Sequence, residues 1–236
     1  MQGFTFARLR RSRSLLTAVV AIILFVIYYL LSTRSWAWYN HVEPNTQIVC
    51  DMTDEDYESL MDMGERLIRI FDKLHIKYWL VYGSHIGALR YQGPIPWDTD
   101  IDLGIEWETL KPHYPDAFFA ACRAEGLRVD YRGWGGFFRI ENDRSRSDLM
   151  LFTDYWGNGW MNRMGIESWL FFINYWTYHI FPAALVRDPL PEYKFGRLQM
   201  TSTHDGIQVL KYHYPHDWER EVRPTGCENA VIRKRN

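Results

Sequence analysis

From Asp98 to Ile105 the chain reads Asp-Thr-Asp-Ile-Asp-Leu-Gly-Ile, an alternation of acid and apolar residues. Extended, these residues separate cleanly. Asp98, Asp100 and Asp102 share one face, and Ile101, Leu103 and Ile105 point to the other. A strand with one apolar face must lie on a core, so the acids belong to the edge or mouth of a sheet rather than to a solvated loop. Three like charges on one face repel unless a cation stands between them. Oxygen-only ligands with water suit Mg²⁺ or Mn²⁺. Such ions can clamp the attacking and leaving oxygens of a phosphoryl transfer.

Upstream, Lys77 to Tyr82 (KYWLVY) is a short apolar strand candidate, Gly83-Ser84 breaks it, and His85 to Tyr91 reads as a short helix. A strand, then Gly-Ser, then a helix start leaves backbone N–H groups and a hydroxyl facing one point. That is a seat for phosphate, helped by the helix dipole; the same pair also serves as a plain turn and cap. Asp148 opens a further apolar strand, Asp148 to Phe152. From there it can reach the same metals or act as base towards a hydroxyl. Arg90, six residues after Ser84, can hold a phosphate or lie at the surface. Lys211, Tyr212 and His213 stand in a late segment where each can touch substrate or be structural.

The remaining pattern is that of a mixed α/β domain around one sheet. Thr53 to Leu74 carries Leu60, Met63, Leu67, Ile70, Phe71 and Leu74 at helical spacing, with Thr53 and Asp56 resembling a capping box. Gly93, Pro94 and Pro96 force a loop. Ile101 to Ile105 is a strand, Asp116 to Glu125 a helix ended by Gly126, and Leu127 to Tyr131 and Gly136 to Glu141 further strands. Strands and helices alternate, and no repeat interrupts them.

Ahead of this domain, Leu15 to Leu31 is free of charge, proline and glycine. With Ser32 and Thr33 it is long enough as a helix to cross a hydrocarbon core of about 30 Å. It ends Leu-Leu-Ser-Thr-Arg, a poor cleavage site, so a signal-anchor is expected over a cleaved signal. Arg8, Arg10, Arg11 and Arg13 precede it and only Arg34 closely follows, which sets residues 1–14 in the cytosol and the domain in the lumen of the Golgi or ER. The expected organisation is a basic tail (1–14), a transmembrane helix (15–33), a stem (34–50) and a luminal domain (51–236). Residues 166–186 form a second, aromatic-rich apolar run. Its Glu167, Asn174, His179 and Pro182 favour a buried or interfacial helix over a second span. Cys50, Cys122 and Cys227 allow one disulfide and one free thiol, and spacing does not choose the pair. No zinc spacing and no N-glycosylation sequon occurs.

Charge narrows the partners. After the five arginines ahead of residue 35 are set aside, 22 basic residues face 29 acidic ones, a net of −7. Nucleic acid is not an expected partner, and an anionic substrate needs local basic groups or metal ions.

The segment WLVYGSHIGALRYQGPIPWDTDIDLGI (79–105) resembles the signature of the LicD family, which includes fukutin-type proteins. Gly83, Ser84, Gly87, Arg90, Gly93, Ile95, Pro96, Trp97, Asp98, Asp100 and Asp102 carry the likeness. Val81-Tyr82 stands where many members have Asp-Gly, and His85 where an aliphatic residue is usual. The resemblance implies a nucleotidyltransferase-like mixed sheet with flanking helices. It implies transfer of a phospho-alcohol, such as phosphocholine or ribitol phosphate, from a CDP-linked donor to a glycan hydroxyl, with release of CMP. It further implies Mg²⁺ or Mn²⁺ held by Asp100, Asp102 and Asp148, and a donor bound by Gly83, Ser84, Arg90 and Asp98.

Two other functions fit parts of the sequence. A luminal glycosyltransferase would also carry Asp-x-Asp, but a longer nucleotide-binding unit usually precedes that motif. A membrane-anchored, non-catalytic partner of a glycan-modifying enzyme would keep the fold and lose metal binding.

Overall fold

The computed structural model describes residues 15–28, 49–165, 179–215, 218–233 and 235. It comprises two units, Met1–Thr46 and Gln47–Asn236. In the first, residues 15–28 form a helix, α1, exposed along its length. At about 1.5 Å per residue these fourteen described residues account for roughly 21 Å of helix. Among the described residues no helix is long and apolar enough to cross a membrane. The expected span over 15–33 is therefore not seen as such. Residues 29–33, the tail 1–14 and most of the stem lie outside the described residues.

The second unit opens with α2 (Asp54–Leu74). The Thr53 hydroxyl accepts from the Asp56 N–H at 3.1 Å and donates to the Asp56 carboxylate at 2.6 Å, the cap that the sequence implied. Leu60, Met63, Leu67, Ile70 and Phe71 form its buried stripe. The chain continues through β1 (Tyr78–Leu80), α3 (Tyr82–Tyr91), β2 (Asp100–Glu106), α4 (Trp107–Leu110) and α5 (Asp116–Ala124). Then follow β3 (Arg128–Arg132), β4 (Phe137–Glu141), β5 (Arg146–Thr153), β6 (Trp160–Arg163) and β7 (Ile180–Pro182). A hairpin of β8 (Glu192–Phe195) and β9 (Leu198–Thr201) and a final helix α6 (Gly206–His213) complete it.

Seven strands form one mixed sheet in the order β1-β2-β5-β4-β3, with β6 on β5 and β7 on β6. β2 and β5 run parallel and the other pairs antiparallel. The two faces of the sheet differ. Ile101, Leu103, Ile105, Leu149, Leu151, Phe138 and Ile140 share a continuous apolar core with the buried stripe of α2 and Phe118 of α5. The opposite face is divided along its length. Trp79, Met150, Phe152, Met161 and Phe181 build a second apolar cluster at one end, and the other end carries Asp100, Asp102, Asp148 and Arg139. A Cβ on Gly104 would lie 2.5 Å from the Trp79 indole, so this glycine makes room for the largest ring of that cluster.

Two local expectations are corrected, and the structure resolves the cysteine pairing that the sequence left open. Helix α3 begins at Tyr82 rather than His85, so Gly83 and Ser84 lie inside its first turn. Tyr82 makes the turn itself with φ +48°, a left-handed conformation that costs a non-glycine residue about 1–2 kcal/mol. Of the run 166–186, residues 166–178 lie outside the described residues. Its end is not a helix but β7 followed by a short 3₁₀ turn, Ala183–Val186, with Pro182 accommodated on an edge strand. Among the cysteines the pair is Cys50–Cys227, and Cys122 is a buried free thiol in α5.

Candidate functional site

Strand register assembles the acids. Parallel pairing sets Asp102 beside Asp148 and Asp100 beside Arg146, while β4 sets Arg139 beside Asp148. Asp98 precedes β2 in a turn closed by its own N–H on the Ile95 carbonyl at 2.9 Å. Helix α3 is tied to the same point, because the Ser84 hydroxyl accepts from the Asp102 N–H at 2.8 Å. Gly83 lies between two carboxylates: a Cβ there would be 2.6 Å from Asp98 Oδ2 and 3.5 Å from Asp102 Oδ2. No side chain fits at that position without moving Asp98.

The electrostatics are those of a site short of positive charge. Asp98 and Asp102 keep a little solvent contact, yet protein hems in both. Burial pushes the Asp98 carboxyl well above the usual range, and the charges of Asp100 and Asp102 and a hydrogen bond with Asp100 add to this. Burial also raises Asp102, followed by the charges of Asp100 and Asp148. The Gly83 N–H and the Arg163 charge oppose the rise. Asp100 accepts from Arg146 Nε at 2.8 Å, and Asp148 is held by Arg139 through two bonds of 3.0 and 3.1 Å.

These residues suit a divalent cation by their chemistry: oxygen ligands, clustered, and costly to ionise without a counter-charge. The cage is not ready-made. Among the described residues no three carboxylate, histidine or cysteine groups converge on one point, and two of the acids are engaged by arginines.

The structure thus brings together Gly83, Ser84, Asp98, Asp100, Asp102 and Asp148, all singled out from sequence. Arg90 stands apart. It lies at the far end of α3 and donates to the carbonyls of Trp218 and Arg220. Around it is a cleft of about 420 Å³, lined in part by Tyr57, Tyr91, Arg223 and Arg235, to which Asp98, Asp100, Asp102 and Asp148 do not contribute. Lys211 lies 5.0 Å over the Trp218 ring, Tyr212 packs on Trp160, and His213 is buried 4.6 Å from the Tyr82 ring. Sequence reasoning missed Arg139, Arg146 and Arg163. The first two are placed by cross-strand register, which alternation within a single strand does not reveal. Arg163 gave no signal, because β6 is only four residues long and the place of Arg163 beside Phe152 is set by cross-strand pairing.

Comparison with other proteins agrees with this geometry. The chain matches the family described as LicD/FKTN/FKRP, nucleotidyltransferase domain, over residues 75–202, more than half its length. It is 25% identical over 173 residues to an uncharacterised protein of Rickettsia prowazekii, covering 70% of this chain and 55% of that one. It is 32% identical over 122 residues to the ribitol 5-phosphate transferase FKRP of Mus musculus, covering 48% of this chain and 23% of the relative. The chain therefore spans about half the length of the bacterial relative and about a quarter of the mammalian one. A solved structure of the antibiotic-resistance factor ANT(2'')-Ia aligns with a TM-score of 0.40 at 16% identity, over 66% of this chain and 69% of that one, a likeness too slight to bear on function. The carboxylate strand, the glycine between its acids and the Asp148 register all fall inside the matched span, and the chain belongs to the LicD/FKTN/FKRP nucleotidyltransferase family.

Proposed function

We propose that this protein is a phospho-alcohol transferase that uses Mg²⁺ or Mn²⁺. It moves a group such as phosphocholine or ribitol phosphate from a CDP-linked donor to a glycan hydroxyl and releases CMP. The observation that carries this reading is the convergence of Asp98, Asp102 and the first turn of α3 on Gly83. Asp98, Asp100 and Asp102, with Asp148, would hold the cation, which when bound would neutralise charge on the diphosphate. The Ser84 hydroxyl fixes the start of α3 against β2, so that helix N–H groups face the phosphates. The acceptor oxygen attacks the distal phosphorus, the bond from that phosphorus to the CMP oxygen breaks, and the hydroxyl proton passes to a carboxylate of the rim. Asp148 either receives that proton or completes the ligand set. Catalysis is then chiefly positioning and charge stabilisation. The domain would act in the lumen of the Golgi or ER, anchored through residues 15–33. Protease protection of a C-terminal tag in sealed microsomes supports that topology, and digestion without detergent refutes it.

The test of the activity is CMP release from CDP-choline, CDP-ribitol and CDP-glycerol with Mn²⁺, beside nucleoside diphosphate release from UDP- and GDP-sugars. CMP release from one CDP-alcohol is expected. Transfer from a sugar nucleotide without CMP would make the protein a glycosyltransferase. One observation favours a second reading: Arg146 and Arg139 already hold Asp100 and Asp148. That state suits a non-catalytic partner of a glycan-modifying enzyme, and a folded chain silent on both panels would favour it.

A further inference from the structure

Arg163 carries a buried positive charge next to the first turn of α3, near enough to Asp102 to temper its raised carboxyl but in direct contact with no carboxylate among the described residues. Pairing with Phe152 places it at the end of β6, and its guanidinium lies 5.8 Å from the Tyr82 ring centre and 6.0 Å from that of Phe137. Only 5% of the residue is exposed. Nη2 donates to the Gly135 carbonyl at 3.0 Å, while Nε is buried without a partner. Among the described residues no carboxylate forms an ion pair with it, unlike Arg139 with Asp148 and Arg146 with Asp100. A buried guanidinium in contact with no anion is costly, and Asp102, itself raised towards its neutral form, answers it only in part.

The surroundings identify what is missing. Tyr82 opens α3, and the next residue, Gly83, lies between Asp98 and Asp102. The N-terminal end of this ten-residue helix bears partial positive charge. Helix end and guanidinium thus lie together beside the carboxylate rim. We propose that Arg163 binds the phosphate of the substrate, which sits between its guanidinium and the N-terminus of α3. The identity of that anion as a nucleoside diphosphate ester rests on the transferase reading above; the need for an anion rests on the buried charge. Arg90 does not compete for this role, since it lies at the other end of α3 and donates there to the carbonyls of Trp218 and Arg220.

The experiment is calorimetric titration of inorganic pyrophosphate, with and without Mg²⁺, into the full chain and its variants, beside their thermal midpoints. The parent should bind. Arg163→Met should bind at least ten-fold more weakly, the equivalent of one lost charged hydrogen bond. Its midpoint without pyrophosphate should be unchanged or higher, because it no longer buries a charge that touches no anion. Arg90→Met should keep the parent affinity. If Arg163→Met does not fold, Arg163→Gln, which can still donate to the Gly135 carbonyl, is read in the same way. A parent that does not bind pyrophosphate overturns the inference. Neutral variants that bind it as the parent does also overturn it, and a lowered midpoint would then mark Arg163 as a structural donor. Arg163-dependent binding in a chain that releases no CMP leaves this inference standing and removes the transferase reading.

Discussion

The two ends of α3 use the same residue types to opposite effect. Around its last turn the charges are matched. Arg233 meets Asp51 at 2.6 Å and Asp54 at 2.8 Å, Arg235 meets Asp51 at 2.8 Å, and Tyr91 and Arg223 share Glu221 at 2.9 and 2.6 Å. Burial works to raise the Asp51 carboxyl, but the bonds from Arg235 and Arg233 outweigh it and hold it low. The Cys50–Cys227 disulfide locks the same region. At the first turn, Asp98 and Asp102 are raised instead, because burial there is reinforced by like charges. One end spends its charges on stability; the other gathers four carboxylates, of which arginines hold only Asp100 and Asp148 directly. The difference separates a clasp from a site.

The largest effect is expected at the site. Asp102→Asn should cut turnover about a thousand-fold, ~4 kcal/mol of lost charge stabilisation, while the thermal midpoint stays level or rises as repulsion is relieved. CMP release beside thermal unfolding checks both, and a midpoint that falls with turnover would make Asp102 structural. At the clasp, replacing Cys50 and Cys227 by serine should cost about 3 kcal/mol of stability, the middle of the range usual for a disulfide. Urea unfolding measures it. Pyrophosphate affinity at the site should not change, and a parallel loss would merge the two ends into one device.

His85, on the buried side of α3 between the two ends, gives a smaller effect. Burial lowers its pKa from 6.5 to about 4, and neither ring nitrogen has a partner. The unfolded chain takes up its proton below pH 6.5 and the folded chain does not until about pH 4, so this stability is lost as pH falls through that window. At pH 5 the loss is about 2 kcal/mol. His213 acts in the same direction, and Asp98 and Asp102, with raised values, act in the other. His85→Met isolates the single residue: its stability relative to the parent should rise by that amount between pH 7 and pH 5. A pH-independent difference would show that His85 is protonated or hydrated in the fold. The smallest effect belongs to Arg90→Ala. It should cost about 1 kcal/mol by freeing the Trp218 and Arg220 carbonyls and leave donor affinity untouched. Weakened donor binding would return Arg90 to the site.

Legibility from sequence followed the range of the forces. Local signals read well. The Thr53 cap, the buried stripe of α2 and the one-sided β2 follow from neighbours within four residues of each other. The convergence of Gly83 with Asp98 and Asp102 was legible because a short helix and a loop must bring their strands together. What failed depended on cross-strand pairing and on contacts with the C-terminal tail. Arg139 acquires its role from the register of β4 with β5, Arg146 from that of β5 with β2, and Arg163 from its place beside Phe152. Arg90 looked like a phosphate ligand by spacing from Ser84, but tail carbonyls about 130 residues away take its donors. The start of α3 was misplaced because Gly83-Ser84 looked like the break, whereas Tyr82 carries the left-handed turn.

The central claim is that the carboxylates around Gly83 are held together for a divalent cation. Mn²⁺ titration of the full chain at neutral pH, followed by loss of the free-ion paramagnetic resonance signal, tests it most directly. The account predicts that the parent takes up Mn²⁺, that Mg²⁺ competes for it, and that Asp102→Asn binds at least ten-fold more weakly. A folded parent that leaves the Mn²⁺ signal unchanged would contradict the account.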